Sequence, residues 1–298
     1  MLKVAVIIPC FNEEASVGAV IDGFRATLPN SDIYVYDNGS TDNSVEVARK
    51  KNVHISHVAR RGKGNVVRQA FADVEADIYI MVDGDDTYDP TTAPVLVNEV
   101  MHNQCDMVTV CRIRGETSAR ARPGHLAGNA LFSRLVQFLF RSDTRDVLSG
   151  YRAFSRRFVK SFPSTARGFD IEVQITAQAA MLRVKEASIE SVYRERTDGT
   201  SKLRTVRDGI KIMVSLFRIY RAYAPSRFFG TFSAFSILIA LAIFVRSSEP
   251  SDSLYAISAF SLVSFLFFVV GIILNGITRI QYQQNRLSFL RYPRVSDN

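Results

Sequence analysis

The sequence predicts an α/β fold: a mostly parallel sheet flanked by helices, followed by two apolar helices. Three observations predict it. Strand-like and helix-like segments alternate regularly through the first hundred residues. The residues with chemical potential fall at the ends of the predicted strands. Charge then vanishes from two long runs near the end of the chain. Regular βα alternation argues for a parallel sheet covered on both faces.

The elements follow in order. "VAVII" is a short apolar strand, and a helical stretch runs from Ala15 to Thr27. "IYVYD" is a second strand, and the next helix starts near "STDNSVEVARK", where Ser40 or Asp42 can cap the first amides. Val53 to Val58 is a third strand, with a helix from about Gly64 to Val74. "IYIMV" is the fourth, followed by a helix from Thr92 to Met101, and "DMVTVC" is the fifth. Beyond Ala119 the pattern is less regular. It holds a helix around Leu126 to Phe140, the segment "DVLSGYRAFSRRF", a helix after "GFDIE" and the strand-like "ASIESVY". No internal repeat or low-complexity segment is visible.

Phe228 to Val245 and Leu254 to Gly276 contain no Asp, Glu, Lys or Arg. A helix crossing about 30 Å of hydrocarbon needs about 20 such residues, so both runs are expected to span a membrane. Lys211, Arg218, Arg221 and Arg227 precede the first run; Arg279, Arg286, Arg291 and Arg294 follow the second, whereas the connector carries only Arg246. The positive-inside rule places the N-terminal domain and both termini in the cytoplasm, at the inner or plasma membrane. The expected division is 1–203 as a cytoplasmic α/β domain, 204–227 as a juxtamembrane amphipathic helix, and 228–298 as the membrane region (spans at about 228–245 and 254–276) with a basic tail. "MLKVAVIIPC" is too short an apolar run for a signal peptide.

The chain carries a formal net charge of +8. Much of the excess sits beside the apolar runs. From Arg204 to Arg221, Ile210, Met213, Phe217 and Tyr220 share one side, with Arg204, Arg207, Lys211 and Arg218 on another. That is the pattern of a helix lying on an anionic leaflet, so the basic balance is assigned to a membrane and not to nucleic acid. Cys10, Cys105 and Cys111 are odd in number and lack CxxC spacing, which suits a reduced compartment and packing roles. The four histidines, His54, His57, His102 and His125, read as structural or surface residues with no zinc site.

Ligands of parallel sheets sit at the carboxyl ends of strands. Pro9 to Glu14, Asp37 and the cluster Asp83, Asp85, Asp86 and Asp89 all fall there. The first strand ends "PCFNEE", with no GxGxxG, and "RRGKGN" lacks the Walker pattern, so neither dinucleotide nor P-loop binding is indicated. Asp83-Gly84-Asp85 is the central feature. Side chains at i and i+2 of an extended segment point the same way, so the pair can share one hard divalent ion. Mg²⁺ or Mn²⁺ on one or two carboxylates completes its shell with phosphate oxygens and water. An EF-hand fits badly, because Tyr88 replaces the required Gly and Pro94 stands where the bidentate Glu belongs. A competing reading is the DxDGT signature of haloacid-dehalogenase-type phosphatases, although Asp86 stands where its Gly should be.

The ordered set "VIIPCFNEE", "VYDNGSTDNS", "RRGKGN", "IMVDGDD", "DVLSGYRAFSRR", "GFDIE" and "RTDGTSKLRTVRDG" resembles the GT-A glycosyltransferases that load sugars onto polyprenyl phosphates. These include dolichyl-phosphate mannose synthase and bacterial undecaprenyl-phosphate glucosyltransferases. The resemblance covers about Val4 to Gly209 and implies a Rossmann-like GT-A sheet. It also implies roles. Pro9, Phe11, Glu13 and Asp37 would line the nucleoside pocket, with Lys63 and Gly84 also on the donor. Asp83 and Asp85 would flank the metal and the donor diphosphate. Arg112, Arg122, Arg196, Ser201 and Lys202 would meet phosphate groups. Asp146 matches the position proposed as catalytic base, and Arg152 would hold the acceptor phosphate.

A monophosphate ester has a second pKa near ~6 and needs little deprotonation, so Asp146 can instead orient the acceptor or the sugar hydroxyls. Processive polysaccharide synthases share the core but carry a QxxRW motif; this chain has no Trp and only two apolar runs, which favours transfer of a single sugar. The expected reaction takes a UDP- or GDP-hexose to polyprenyl phosphate with inversion. The alternatives are a phosphatase or a non-catalytic, membrane-tethered nucleotide-sugar binder. A homo-oligomer remains open, as does packing of the tail "RIQYQQNRLSFLRYPR" on a neighbour or on lipid.

Overall fold

The computed structural model describes residues 2–114, 123–142, 144–163, 168, 170–194, 205–246 and 250–295. Two compact units emerge: Met1–Met213 with Asn285–Asn298, and Val214–Gln284.

The first unit is built on a seven-stranded sheet in the order β3-β2-β1-β4-β6-β5-β7. The strands are β1 (Val4–Cys10), β2 (Asp32–Asp37), β3 (His54–His57), β4 (Ile78–Met81), β5 (Met107–Arg114), β6 (Arg152–Ser155) and β7 (Glu186–Tyr193). Helices α1 (Val17–Thr27), α2 (Ser44–Lys50) and α3 (Lys63–Asp73) supply the crossovers of the β1–β4 half. A 3₁₀ turn at Pro90–Thr92 leads into α4 (Ala93–Met101), and α5 (Pro123–Phe140), α6 (Arg156–Lys160) and α7 (Ile171–Leu182) complete the set.

β1 and β4 are buried on both faces, with Ala5, Val6, Ile7, Ile8 and Ile78 to Met81 at 0% exposure. This is why they read as unbroken apolar runs. All pairings are parallel except those of β6, which runs antiparallel between β4 and β5. The regular alternation gave no sign of this strand. Its four residues are all buried, so no period of two shows, and its first residue is an arginine.

The order of the sheet puts the carboxyl ends of β1, β2 and β4 side by side. Asp37 ends β2, and the Asp83 turn follows β4 directly. Asp42 accepts a hydrogen bond from the Ser44 amide (3.0 Å) at the start of α2, whereas Ser40 accepts from the amide of Asn12 (3.0 Å) and so ties two site loops together.

The chain continues as α8 (Thr205–Tyr223), α9 (Pro225–Arg246) and α10 (Pro250–Leu290). In the second unit α9 and α10 pack antiparallel. Ser236 donates to the Phe260 carbonyl (2.7 Å), Ser264 donates to the Ser233 carbonyl (2.9 Å), and Phe229 stacks on Phe267. Small residues and hydroxyls at such a seam suit helix packing in lipid. Pro225–Arg246 and Ser253–Leu290 are candidate membrane spans, and only 11% of each apolar window is buried. Phe235, Leu238, Leu241 and Phe244 are 57–64% exposed, a surface that water would penalise. The 22 residues of α9 extend about 33 Å at ~1.5 Å per residue, enough for a bilayer core. α10 runs past Gly276 to Leu290, so the expected end of the second apolar run is not the end of its helix.

Candidate active site

Four loops at the carboxyl ends of the strands converge. After β1, Asn12 adopts φ 52°, and its side-chain oxygen accepts from the Thr41 amide (2.8 Å). The Glu13 amide donates to Ser44 Oγ (2.7 Å), and Ser16 Oγ donates to the Gly84 carbonyl (2.7 Å). The turn after β1 is thereby sewn to those after β2 and β4. Gly84 packs on Ile8 and the Pro9 carbonyl, where a Cβ would stand 3.4 Å from each.

Asp37 is 3% exposed and accepts from the amides of Gly39 (3.2 Å) and Ser40 (3.1 Å). His57 Nδ1 lies 3.1 Å from Oδ2, the oxygen that also accepts from Gly39. Burial alone would raise the Asp37 pKa, but the hydrogen bonds from Ser40, His57 and Gly39 outweigh it and hold the carboxyl below its usual range. His57 sits there because the parallel register sets Asp37 opposite His57. Nearby, the Arg61 guanidinium lies 5.1 Å over the Phe11 ring. The Gly62 amide donates to Asn38 Oδ1 (2.6 Å), which pins the "RRGKGN" loop to the end of β2.

The loop after β4 holds the densest charge. Lys63 Nζ bridges Asp83 Oδ1 (2.5 Å) and Glu172 Oε1 (2.7 Å). Burial would lower the Lys63 pKa, yet the two carboxylates reverse this and raise it, so it stays an ammonium. Burial raises the Glu172 pKa despite Lys63, and Glu172 Oε2 is buried without a hydrogen-bond partner among the described residues. Asp85 is 3% exposed and accepts from Thr87 Oγ1 (2.6 Å).

The aspartate pair is not on an extended segment. β4 ends at Met81, a turn begins at Gly84, and Asp86 is left-handed at φ 55°. The alternation rule therefore does not apply to these side chains, because Gly84 and Asp85 lie in a turn and not in a strand. Asp89 caps the 3₁₀ turn by accepting from the Thr91 amide (3.0 Å).

On the far side of β4, Arg112 forks onto Asp146, with Nε to Oδ2 at 2.6 Å and Nη2 to Oδ1 at 2.8 Å. The sequence reading gave the two residues separate roles; the structure makes them one bidentate pair. Arg152 departs from its expected role. It is 0% exposed, and its guanidinium donates to the carbonyls of Val147 (2.5 Å) and Ser149 (3.1 Å) and to Thr176 Oγ1 (3.0 Å). An arginine so enclosed does not meet an acceptor phosphate; it ties down the loop that carries Asp146. Arg122, Arg196, Ser201 and Lys202 lie outside the described residues.

Three further participants escaped the sequence reading: Glu172, His57 and Gly150. The "GFDIE" segment contained the signal for Glu172. His57 needed the register, and Gly150 needed the contact with Asp83. Among the described residues no group of three or more His, Cys, Asp or Glu gathers as an all-protein metal cage. Oxygen donors on one or two carboxylates fit a hard ion whose shell is completed by phosphate and water.

A model described as glycosyl transferase family 2 matches residues 5–162. The chain belongs to this family. It is 30% identical to glycosyltransferase AglJ of Haloferax volcanii over 277 residues, covering 89% of each chain. It is 28% identical to the dolichyl-phosphate hexose transferase of the same organism over 216 residues, 72% of this chain and 92% of that one. Protein RfbJ of Shigella flexneri is 48% identical over 123 residues, 41% of this chain and 95% of that one.

Among solved structures, glucosyl-3-phosphoglycerate synthase from Mycobacterium tuberculosis, in complex with Mn²⁺, UDP and glucosyl-3-phosphoglycerate, superposes with a TM-score of 0.58 at 20% identity. The match covers 73% of this chain and 80% of that one and supports the GT-A fold. As a family 2 glycosyltransferase the chain is an enzyme, which sets aside the phosphatase and sensor readings. The matched span holds Asp37, Lys63, Asp83, Asp85, Arg112, Asp146 and Arg152; Glu172 lies beyond it.

Proposed function

We propose that this glycosyltransferase moves one sugar from a nucleoside-diphosphate sugar to a polyprenyl phosphate at the membrane surface. The carrying observation is the pair α9 and α10, whose apolar windows are only 11% buried, in the same chain as the site. A membrane-anchored enzyme and a membrane-anchored acceptor share a thin layer. This raises their effective concentration without new contacts at the reacting atoms.

Asp37, Glu13, Pro9 and Phe11 line the nucleoside side, where Asp37 stays ionised to accept base or ribose hydrogen bonds. Asp83 and Asp85 would hold Mg²⁺ or Mn²⁺, which when bound supplies charge neutralisation for the departing diphosphate. Lys63 and Gly84 border the donor, and the unpartnered Glu172 Oε2 is positioned to accept from a sugar hydroxyl. Asp146, held by Arg112, orients the acceptor side. The acceptor phosphate oxygen attacks the anomeric carbon, the bond to the diphosphate breaks, and the product is inverted.

Along the chain, residues up to 213 and residues 285–298 both belong to the first unit. Two crossings would return the chain to the side that it left. This supports one side for the catalytic unit and the C-terminal segment, and the basic flanks favour the cytoplasm. Purified protein given labelled UDP- and GDP-hexoses, Mn²⁺ and undecaprenyl phosphate should yield an organic-soluble labelled lipid. Transfer only to soluble acceptors would overturn the reading.

A further inference from the structure

The C-terminal segment beyond the apolar helix has its own dock. Phe289 is 2% exposed, although it belongs to a helix whose middle is bare. Two guanidinium groups approach its ring, Arg157 at 4.5 Å and Arg286 at 5.4 Å from the centroid. Arg286 Nη1 also donates to the Leu182 carbonyl at the end of α7 (3.0 Å). Arg156 lies 5.6 Å over Tyr292, and Arg294 Nη1 donates to Gln104 Oε1 (2.5 Å). Val295 packs against the main hydrophobic cluster, beside Cys105, Asp106 and Ser155.

The dock is prepared beneath this cover. Asp106, 2% exposed, accepts two hydrogen bonds from Arg157 (2.5 and 2.6 Å) and one from Ser155 (2.8 Å). With its charge already paired, Arg157 presents a guanidinium face to an aromatic ring, which is how Arg covers apolar surface at little cost. The face lies at the end of the sheet opposite the site. Asp106 precedes β5 and Ser155 ends the antiparallel β6, whereas the site loops follow the carboxyl ends of β1, β2 and β4.

We infer that residues 286–295 are a strap, docked on the Gln104–Asp106 and Arg156–Arg157 face, that gives the catalytic unit a second attachment to its own apolar helices. The first attachment is α8. The second exists because α10 continues unbroken to Leu290. A unit joined through two covalent connections is more restrained than one joined through a single connection. The strap answers the question of what the basic, aromatic tail packs on: this chain's own surface. Its consequence for catalysis rests on the proposed lipid acceptor.

The test uses full-length protein in detergent, with the double variant Phe289→Ala/Arg294→Ala, neither residue being part of the catalytic machinery. Cys105 is 2% exposed beside the strap, and Cys10 and Cys111 are buried elsewhere. Brief treatment with N-ethylmaleimide and peptide mass spectrometry should show Cys105 protected in the native protein. In the variant Cys105 should react at least about tenfold faster, with Cys10 and Cys111 unchanged. Continued protection of Cys105, or equal opening of all three thiols, would overturn the strap as a separable element. Val295→Cys, mildly oxidised, should bridge to Cys105 within one chain; a bridge between chains or none counts against it. With the lipid acceptor, the double variant should raise the acceptor KM severalfold and leave the donor KM unchanged. Absence of any lipid product from native protein would sink the acceptor reading alone, since the thiol readouts judge the strap without it.

Discussion

Gly150 makes the space that the Asp83 carboxylate fills. A Cβ built on Gly150 would stand 2.1 Å from Asp83 Oδ2 and 2.6 Å from its Cγ. The two residues come from different loops, and the Gly150 amide is fixed by donating to the Tyr88 hydroxyl (2.9 Å). Gly150→Ala must therefore push Asp83 aside. The displaced group is a side chain, so the fold should survive. A shift of about 1 Å at a carboxylate proposed to hold the metal should still cost on the order of a hundredfold in kcat/KM. Metal titration of the variant, with circular dichroism as the folding control, checks this. Unchanged metal dependence and rate would show that Asp83 is not where the chemistry needs it.

Lys63 is the only cation with a recorded ion pair to Glu172 among the described residues. The two side chains are 11% and 4% exposed, so removing the ammonium strands a buried carboxylate. Lys63→Met should destabilise the first unit by about 3–5 kcal/mol near neutral pH. Lys63→Met/Glu172→Gln should recover a large part of that. Glu172 has a raised pKa in the fold, so its ionised form is the penalised one, and protonation relieves the penalty. The deficit of the single variant should accordingly shrink as pH falls through the folded-state pKa of Glu172. Urea unfolding at several pH values measures both effects.

Arg152 separates a structural role from a phosphate-binding one. Arg152→Met leaves the Val147 and Ser149 carbonyls without their donor inside the core. A loss of stability on the order of 3 kcal/mol is expected, with a lowered kcat because the Asp146 loop loosens. A direct phosphate contact would instead raise the acceptor KM and leave unfolding untouched. Chemical denaturation beside steady-state kinetics distinguishes the two.

Asp146 is bonded through both oxygens to Arg112, and an amide cannot reproduce that fork. Asp146→Asn should lower kcat/KM by about a hundredfold. With the proposed phosphate acceptor, the acid limb of the pH profile should stay near ~6 in both proteins, because it would report that phosphate losing its second proton. If Asp146 were the base, the limb would move or vanish in the variant. Rates across about pH 5 to 8 decide it.

Local chemistry made much of this protein legible in its sequence. Buried parallel strands read as apolar runs, and crossover helices as amphipathic ones. Loops at strand ends carry Asp37 and Asp83 because side chains there are free of the sheet. The two uncharged runs needed only their length and the Lys and Arg on their flanks. β6 was not legible, since four residues buried on every side show no period and one of them is Arg152.

The sequence by itself determined the alternation, the apolar pair and the motif set that marks a family 2 glycosyltransferase. Tertiary structure decided which of these residues meet. Register brought His57 to Asp37, packing placed Gly150 against Asp83, and Lys63 joined Asp83 to Glu172 across more than eighty residues of chain. Burial turned Arg152 from a phosphate ligand into a loop clamp. Packing of the end of α10 set Phe289 under the guanidinium of Arg157. The physical reason is common to all of them. Spacing fixes what a residue's neighbours along the chain can do, but a contact between distant segments depends on the path and register of the whole sheet.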